Sequence, residues 1–296
     1  VRAAGVDPGV WHLMTGLPYL VRLMFGFRAP AHPIRGRDVA GVVEAVGPGV
    51  REFAVADEVF GICEGAFAEY VCAAETRFAP KPGALTFVQA AALPTSGATA
   101  LNGLRELGEV GPGRSVLVIG AAGGVGSHAV QMARALGARV TGVCSSEKSD
   151  LVRSLGVDEV IDYTRGDFTR GDHRFDFILD TAGRRPISHL RRVLASAGAL
   201  VIVGGEGGDR WLGGFQRQLA SPLWSMFSSQ RFRGLMFKET QEDLFTLGQW
   251  VAQGRVVPVI DRTFPLQEAP AAIDYVAAGH VGGKVVVVVE SPEEDA

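Results

Sequence analysis

From Ser115 the chain alternates short apolar runs with helical patterns. Ser115-Val116-Leu117-Val118-Ile119 is continuous and β-rich, as expected of a strand buried on both faces. Residues 123–136 then place Val125, Ala129, Met132, Ala133 and Leu136 at helical spacing. Further strands are predicted at 139–143, 159–161, 175–179 and 199–203, and helices at 148–155 and 187–194. Strands alternating with helices predict right-handed βαβ units and a doubly wound parallel sheet. The first 90 residues read differently. Short strands at 39–47, 57–61 and 66–71 are broken by Gly and Pro, a mostly β unit. From about Val257 the pattern returns to strands, 259–264 and 284–289, around a helix near 268–278. The fold class is α/β, with a β domain formed by 1–90 and 257–296 and a dinucleotide-binding domain by 91–256.

Composition narrows the function classes. Twenty-nine Lys+Arg against 32 Asp+Glu, a net charge of −3, argue against binding nucleic acid or an anionic membrane through bulk charge. Arginines such as Arg184, Arg185, Arg191 and Arg192 read as solvated helix faces. Cys63, Cys72 and Cys144 form no CxxC pair, which points to a reducing compartment without a disulfide framework. No run reaches the ~20 apolar residues of a membrane span and no signal segment opens the chain, so a cytoplasmic location is expected. The 39 glycines are the outlier, roughly twice average usage.

Seven of the residues after the 115–119 strand carry the chemistry: Gly120-Ala121-Ala122-Gly123-Gly124-Val125-Gly126. They match the dinucleotide fingerprint through Ala121, Gly123 and Gly126, with alanine in the first position. Gly123 lets backbone approach a diphosphate, Gly126 lets the helix pack against the strand, and the helix start at Gly124 and Val125 offers N–H groups. The second strand ends in Cys144-Ser145-Ser146 without the carboxylate that usually holds a ribose 2′-hydroxyl. Ser145, Ser146 and Lys148 instead suit a 2′-phosphate, and Tyr163 could wall the adenine, so NADPH is expected over NADH.

These stretches, with Gly36-Arg37-Asp38-Val39-Ala40-Gly41, Asp57-Glu58-Val59-Phe60-Gly61, Gly65-Ala66-Phe67-Ala68-Glu69-Tyr70 and Gly283-Lys284-Val285-Val286, resemble the medium-chain dehydrogenase/reductase superfamily, in its zinc-independent quinone oxidoreductase-like branch. The resemblance implies a GroES-like β domain beside a Rossmann domain, NADPH as cofactor, and a quinone or α,β-unsaturated carbonyl as substrate. It places Thr99, Gly204, Gly205 and Lys284 among cofactor contacts. Arg37 stands where zinc-dependent relatives carry a ligand histidine, so no metal is expected. The family's early asparagine corresponds to Asp7 and its tyrosine to His12, with Tyr19 a further donor candidate. His12 is a proton donor or a packing residue beside Trp11. Thr99 and Gly204 also have plain readings, a helix-start hydroxyl and a turn. The chain opens at what corresponds to the second or third strand of the β domain, which is therefore expected to lack its first strands. Relatives pair the last Rossmann strand across a two-fold axis, implying a homodimer through about Phe232–Phe237. The competing readings are a nucleotide-binding sensor or crystallin-like protein without turnover, and an alcohol dehydrogenase.

Overall fold

The computed structural model describes residues 1–20, 22, 32–107, 110–204, 210–236 and 239–289. They form two compact units: Val1–Gly16, Val21–Ala98 and Lys238–Ala296 in one, Leu17–Leu20 and Thr99–Phe237 in the other.

The first unit is built on a six-stranded sheet. Its strands are β1 (Ala3–Val6), β2 (Asp38–Val42), β3 (Glu58–Ile62), β4 (Phe78–Pro80), β11 (Ile260–Pro265) and β12 (Lys284–Val288), in the order β11-β12-β1-β2-β3-β4. All neighbours are antiparallel except β11 and β12. Helix α1 (Pro8–Thr15) starts where Asp7 accepts the N–H of Gly9 and ends at Gly16, whose φ of 61° suits glycine. Val10 of α1 joins Val6, Val285, Val287 and the apolar face of α9 (Ala269–Ala277) in one core cluster. α2 (Phe87–Ala91) and α8 (Gln241–Ala252) are each opened by a threonine capping box, Thr86 with Gln89 and Thr240 with Asp243.

Several expected elements differ. The strand expected at 39–47 ends at Val42, and that at 66–71 is absent. There the N–H groups of Cys63, Gly65, Ala66 and Phe67 bond to carbonyls of Arg35, Gly36 and Arg37, and Gly65 takes a φ of 82°, which fixes a turn. The sequence pattern places the boundaries at 90/91 and 256/257. The units divide at 98/99 and 237/238, since α8 packs on β4 and a Cβ on Gly97 would stand against Leu247.

The second unit is a six-stranded, all-parallel sheet. It comprises β5 (Ser115–Ile119), β6 (Arg139–Cys144), β7 (Glu159–Asp162), β8 (Phe175–Asp180), β9 (Leu194–Ile202) and β10 (Arg231–Gly234), ordered β10-β9-β8-β5-β6-β7. Counted from β5, this is the Rossmann order, reversing between β5 and β8. Its helices are α4 (Gly124–Ala135), α5 (Ser149–Ser154), α6 (Ile187–Leu190) and α7 (Phe215–Met226), and the division between units falls within α3 (Pro94–Arg105). Leu117, Ile119, Ile178, Leu200, Ile202 and Phe232 form one continuous buried cluster, the core that continuous apolar runs imply. The helix expected at 187–194 stops at Leu190, because β9 begins at Leu194. Among the described residues no helix is long and apolar enough to cross a membrane.

Candidate active site

The turn after β5 is set by two glycines with different tasks. Gly120 adopts a φ of 82°, and its N–H and that of Ala121 both reach the carbonyl of Val143. A side chain on Gly126 would collide with the carbonyl oxygen of Gly120 and stand 2.8 Å from Cα of Ala121, so α4 lies directly on the turn. At Gly123, the extended cap residue of α4, an added Cβ would meet only the Gly120 oxygen, at 3.4 Å. That side of the turn is open, and the N–H groups of Gly124, Val125 and Gly126 begin a helix whose first turn has no carbonyls to receive them. Close backbone access beside a helix amino end suits a dinucleotide diphosphate.

Ser145, Ser146 and Lys148 follow the tip of β6 as expected, with Lys148 half-buried at the start of α5. One neighbour was not anticipated. Asp162, paired in register with Cys144 on the adjacent β7, accepts the Ser146 hydroxyl in a short hydrogen bond, and its other oxygen takes the N–H and hydroxyl of Thr164 at 2.9 and 2.6 Å. The bonds from Ser146 and Thr164 hold the Asp162 carboxyl below the usual range, so it is ionised at neutral pH. A carboxylate of β7 thus lies beside the tip of β6, which has none of its own. Tyr163 is exposed, its N–H on the Cys144 carbonyl.

Three turns converge at the carboxyl ends of β5, β8 and β9. The Thr181 hydroxyl donates to the Ile119 carbonyl at 2.8 Å, a Cβ on Gly120 would stand 2.6 Å from that hydroxyl oxygen, and one on Gly204 would collide with the Thr181 carbonyl. The glycine at 204 is required by that contact. Gly205 lies outside the described residues. Trp211, Met226 and Phe227 are largely exposed, and Trp224 packs on the sheet core. Arg185 and Arg191, expected on solvated faces, lie over the rings of Phe168 and Trp224, and Arg185 pairs with Asp167 at 2.6 Å.

The candidates for proton chemistry fall in different units. Asp7 and His12 belong to the first. Asp7 caps α1 through Oδ1, while its Oδ2 is buried without a hydrogen-bond partner among the described residues. His12 is half-buried, edge-on to Trp11 at 5.1 Å. Tyr19 lies in the second unit, its backbone bonded to the Arg210 carbonyl and its ring edge-on to Trp211. Thr99 is half-buried in the middle of α3, so its hydroxyl does not start the helix. Lys284 is buried in the first unit, its ammonium 3.2 Å from Asp38. Arg37 pairs with Glu64 at 3.4 Å and Glu239 at 3.3 Å. Burial works against its charge, but Glu239, Asp7, Asp38 and Glu64 outweigh it and raise its pKa.

The chain matches two family models, an alcohol dehydrogenase GroES-like domain over residues 1–83 and a zinc-binding dehydrogenase over 155–287. It is 36% identical over 288 residues to the mouse mitochondrial NAD(P)H oxidoreductase RTN4IP1, covering 85% of this chain and 69% of that protein. It is 33% identical to a chloroplastic NADPH-dependent alkenal/one oxidoreductase of Arabidopsis thaliana, over 88% of this chain and 64% of the relative. The solved quinone oxidoreductase of Coxiella burnetii superposes with a TM-score of 0.83 at 29% identity, covering 98% of this chain and 89% of the other. With a Rossmann strand order, a glycine turn open to a diphosphate and a six-stranded β unit, the chain belongs to the medium-chain dehydrogenase/reductase superfamily, in its quinone oxidoreductase-like branch.

Proposed function

We propose that this chain is a metal-independent, NADPH-dependent reductase of quinones or of the C=C bond of α,β-unsaturated carbonyls. The observation that carries the reading is the β5–α4 turn, sealed at Gly126 and open at Gly123. The dinucleotide, when bound, supplies the hydride. Ala121, Gly123, Gly124, Val125 and Gly126 take its diphosphate end, Ser145, Ser146, Lys148 and Tyr163 its 2′-phosphate and adenine, and Thr99 and Gly204 its nicotinamide side. The substrate belongs to the GroES-like unit. His12 or Tyr19 returns the proton, or water does. Arg37 supports the metal-independent reading by its chemistry, since a guanidinium donates hydrogen bonds and does not ligate a cation. A homodimer through the edge strand β10, and a cytoplasmic location, complete the proposal, although the mouse relative is named as mitochondrial.

Binding without turnover is the second reading. Asp7 favours it, because a carboxyl side chain, unlike the amide of the family's asparagine, has no N–H to donate toward a substrate oxygen. Oxidation of NADPH and NADH at 340 nm, with a panel of quinones and enones and a metal chelator, separates the two. Chelator-resistant turnover that prefers NADPH is expected. Turnover abolished by the chelator and restored by zinc overturns metal independence, and NADPH binding with no acceptor reduced overturns the reductase. Light scattering that gives the mass of one chain overturns the dimer.

A further inference from the structure

The carboxyl end of β8 holds an ion pair on a buried carboxylate that none of the roles above uses. Asp180 closes the strand, in register with Ile119 on one side and Ile202 on the other. One of its oxygens accepts the N–H of Gly183 at 3.0 Å, and the other holds Nη2 of Arg217 at 2.6 Å. Arg217 comes from the first turn of α7, and the next residue, Gln218, fastens that helix by donating to the Val203 carbonyl at 3.0 Å. The Arg217 side chain is 12% exposed, against 1% for Asp180. Its Nε and Nη1 are buried and meet no acceptor among the described residues. A guanidinium carries five N–H donors in one rigid plane, so three of the five are without an acceptor here. Charged donors buried in that way are costly unless something completes them.

Their place says what could. The strand order reverses between β5 and β8, and open α/β sheets take ligands outside the strand ends at that reversal. Asp180 ends β8 at that point. Thr181 beside it is wedged between Gly120 of the glycine turn and Gly204 after β9. A positive plane held by a carboxylate beside a diphosphate turn is suited to anionic oxygen, because guanidinium donors match phosphate geometry.

We propose that Arg217 is a ligand-binding residue whose uncommitted N–H groups take an anionic oxygen of the dinucleotide's diphosphate, with Asp180 as the group that positions it. The inference rests on the reductase reading above. Isothermal titration of NADPH and of adenosine 2′-phosphate, which lacks the diphosphate, into the wild type and Arg217→Met tests it. NADPH should bind the variant about tenfold or more weakly, the scale of lost charge-assisted hydrogen bonds, with adenosine 2′-phosphate unchanged. The double variant Asp180→Asn with Arg217→Met removes both charges together and should show the same loss if the single variant folds poorly. Retention of wild-type NADPH affinity by the variants overturns the inference alone, as does an equal loss of both ligands. A wild type that binds no NADPH overturns the reductase reading and this inference with it.

Discussion

Among the described residues two carboxylate–cation pairs have a fully buried carboxylate, one in each unit, and they are built differently. In the first unit Asp38 on β2 and Lys284 on β12 meet over β1, which lies between them. They can do so because β1 carries Gly5 opposite Asp38, where a Cβ would collide with the Ala91 carbonyl and stand 2.9 Å from Cβ of Asp38. Asp38 is complete: one oxygen takes Lys284, the other takes the N–H of Thr95 at 3.0 Å and its hydroxyl. In the second unit Asp180 is also paired, but Arg217 keeps buried donors without acceptors. The difference separates a cross-link from a receptor. A pair whose atoms are all matched holds strands together, and one with matched anion and unmatched cation keeps donors that a second anion can take. By that criterion Lys284, placed among cofactor contacts by family resemblance, serves the sheet.

The strongest way to break this contrast is Lys284→Met. It strands a buried carboxylate, a change that costs about 3–5 kcal/mol. Burial pushes the Asp38 carboxyl above its ordinary range while Lys284 opposes that push, so removing the lysine raises it further. A carboxyl raised in the folded state contributes its stability at pH below its unfolded value and loses it as pH rises through the folded one. The variant should therefore be far less stable than the wild type at pH 7 and regain part of the difference as pH falls toward 4. Urea unfolding across that range measures it. A Lys284→Met protein that matches the wild type at pH 7 would show that the pair is no cross-link.

The second test separates packing from binding within one turn. Gly126→Ala forces a methyl into the Gly120 carbonyl, an overpacking expected to cost about 1–3 kcal/mol. Gly123→Ala meets one atom at ordinary contact distance, so stability should change little while NADPH binding weakens. Thermal unfolding with NADPH titration reads both quantities. Equal destabilisation by the two alanines would mean that the open side at Gly123 is not a ligand face.

Regular elements were legible where one local pattern dominated. Ser115–Ile119 is bounded as its apolar run indicates, and α4 differs from its periodic stretch by one residue at each end. Helix α1 was hidden because Asp7-Pro8-Gly9 reads as a turn, although Asp before Pro is also a helix start. The capping box of Thr240 with Asp243 was present in the sequence as a start signal for α8. In the site, the glycine turn was readable because its constraint is steric and local. Asp180 had a faint signal, a carboxylate closing the run Phe175-Asp176-Phe177-Ile178-Leu179. Arg217 had none, since only the folding of α7 beside β8 distinguishes it from other arginines. Asp162 was visible as a residue and invisible as a partner, because its bond to Ser146 depends on the register of β6 and β7.

That bond gives the smallest and most discriminating prediction. Ser146 was expected to donate to a 2′-phosphate, but its proton is directed at Asp162, which is ionised and turns negative charge toward the same place. A carboxylate there receives a ribose 2′-hydroxyl and opposes a 2′-phosphate, while Lys148 does the reverse. Asp162 should accordingly hold down the preference for NADPH that the serines and lysine create. Asp162→Asn keeps an acceptor for Ser146 and removes the charge. NADPH should then bind about threefold more tightly relative to NADH, the scale of one exposed charge at short range. The gain should shrink at high salt, because exposed charges are screened over about 10 Å at 0.1 M ionic strength. Titrating both dinucleotides at two ionic strengths reads the ratio directly. An unchanged ratio would free Asp162 from any part in cofactor choice and leave Lys148 to set it alone.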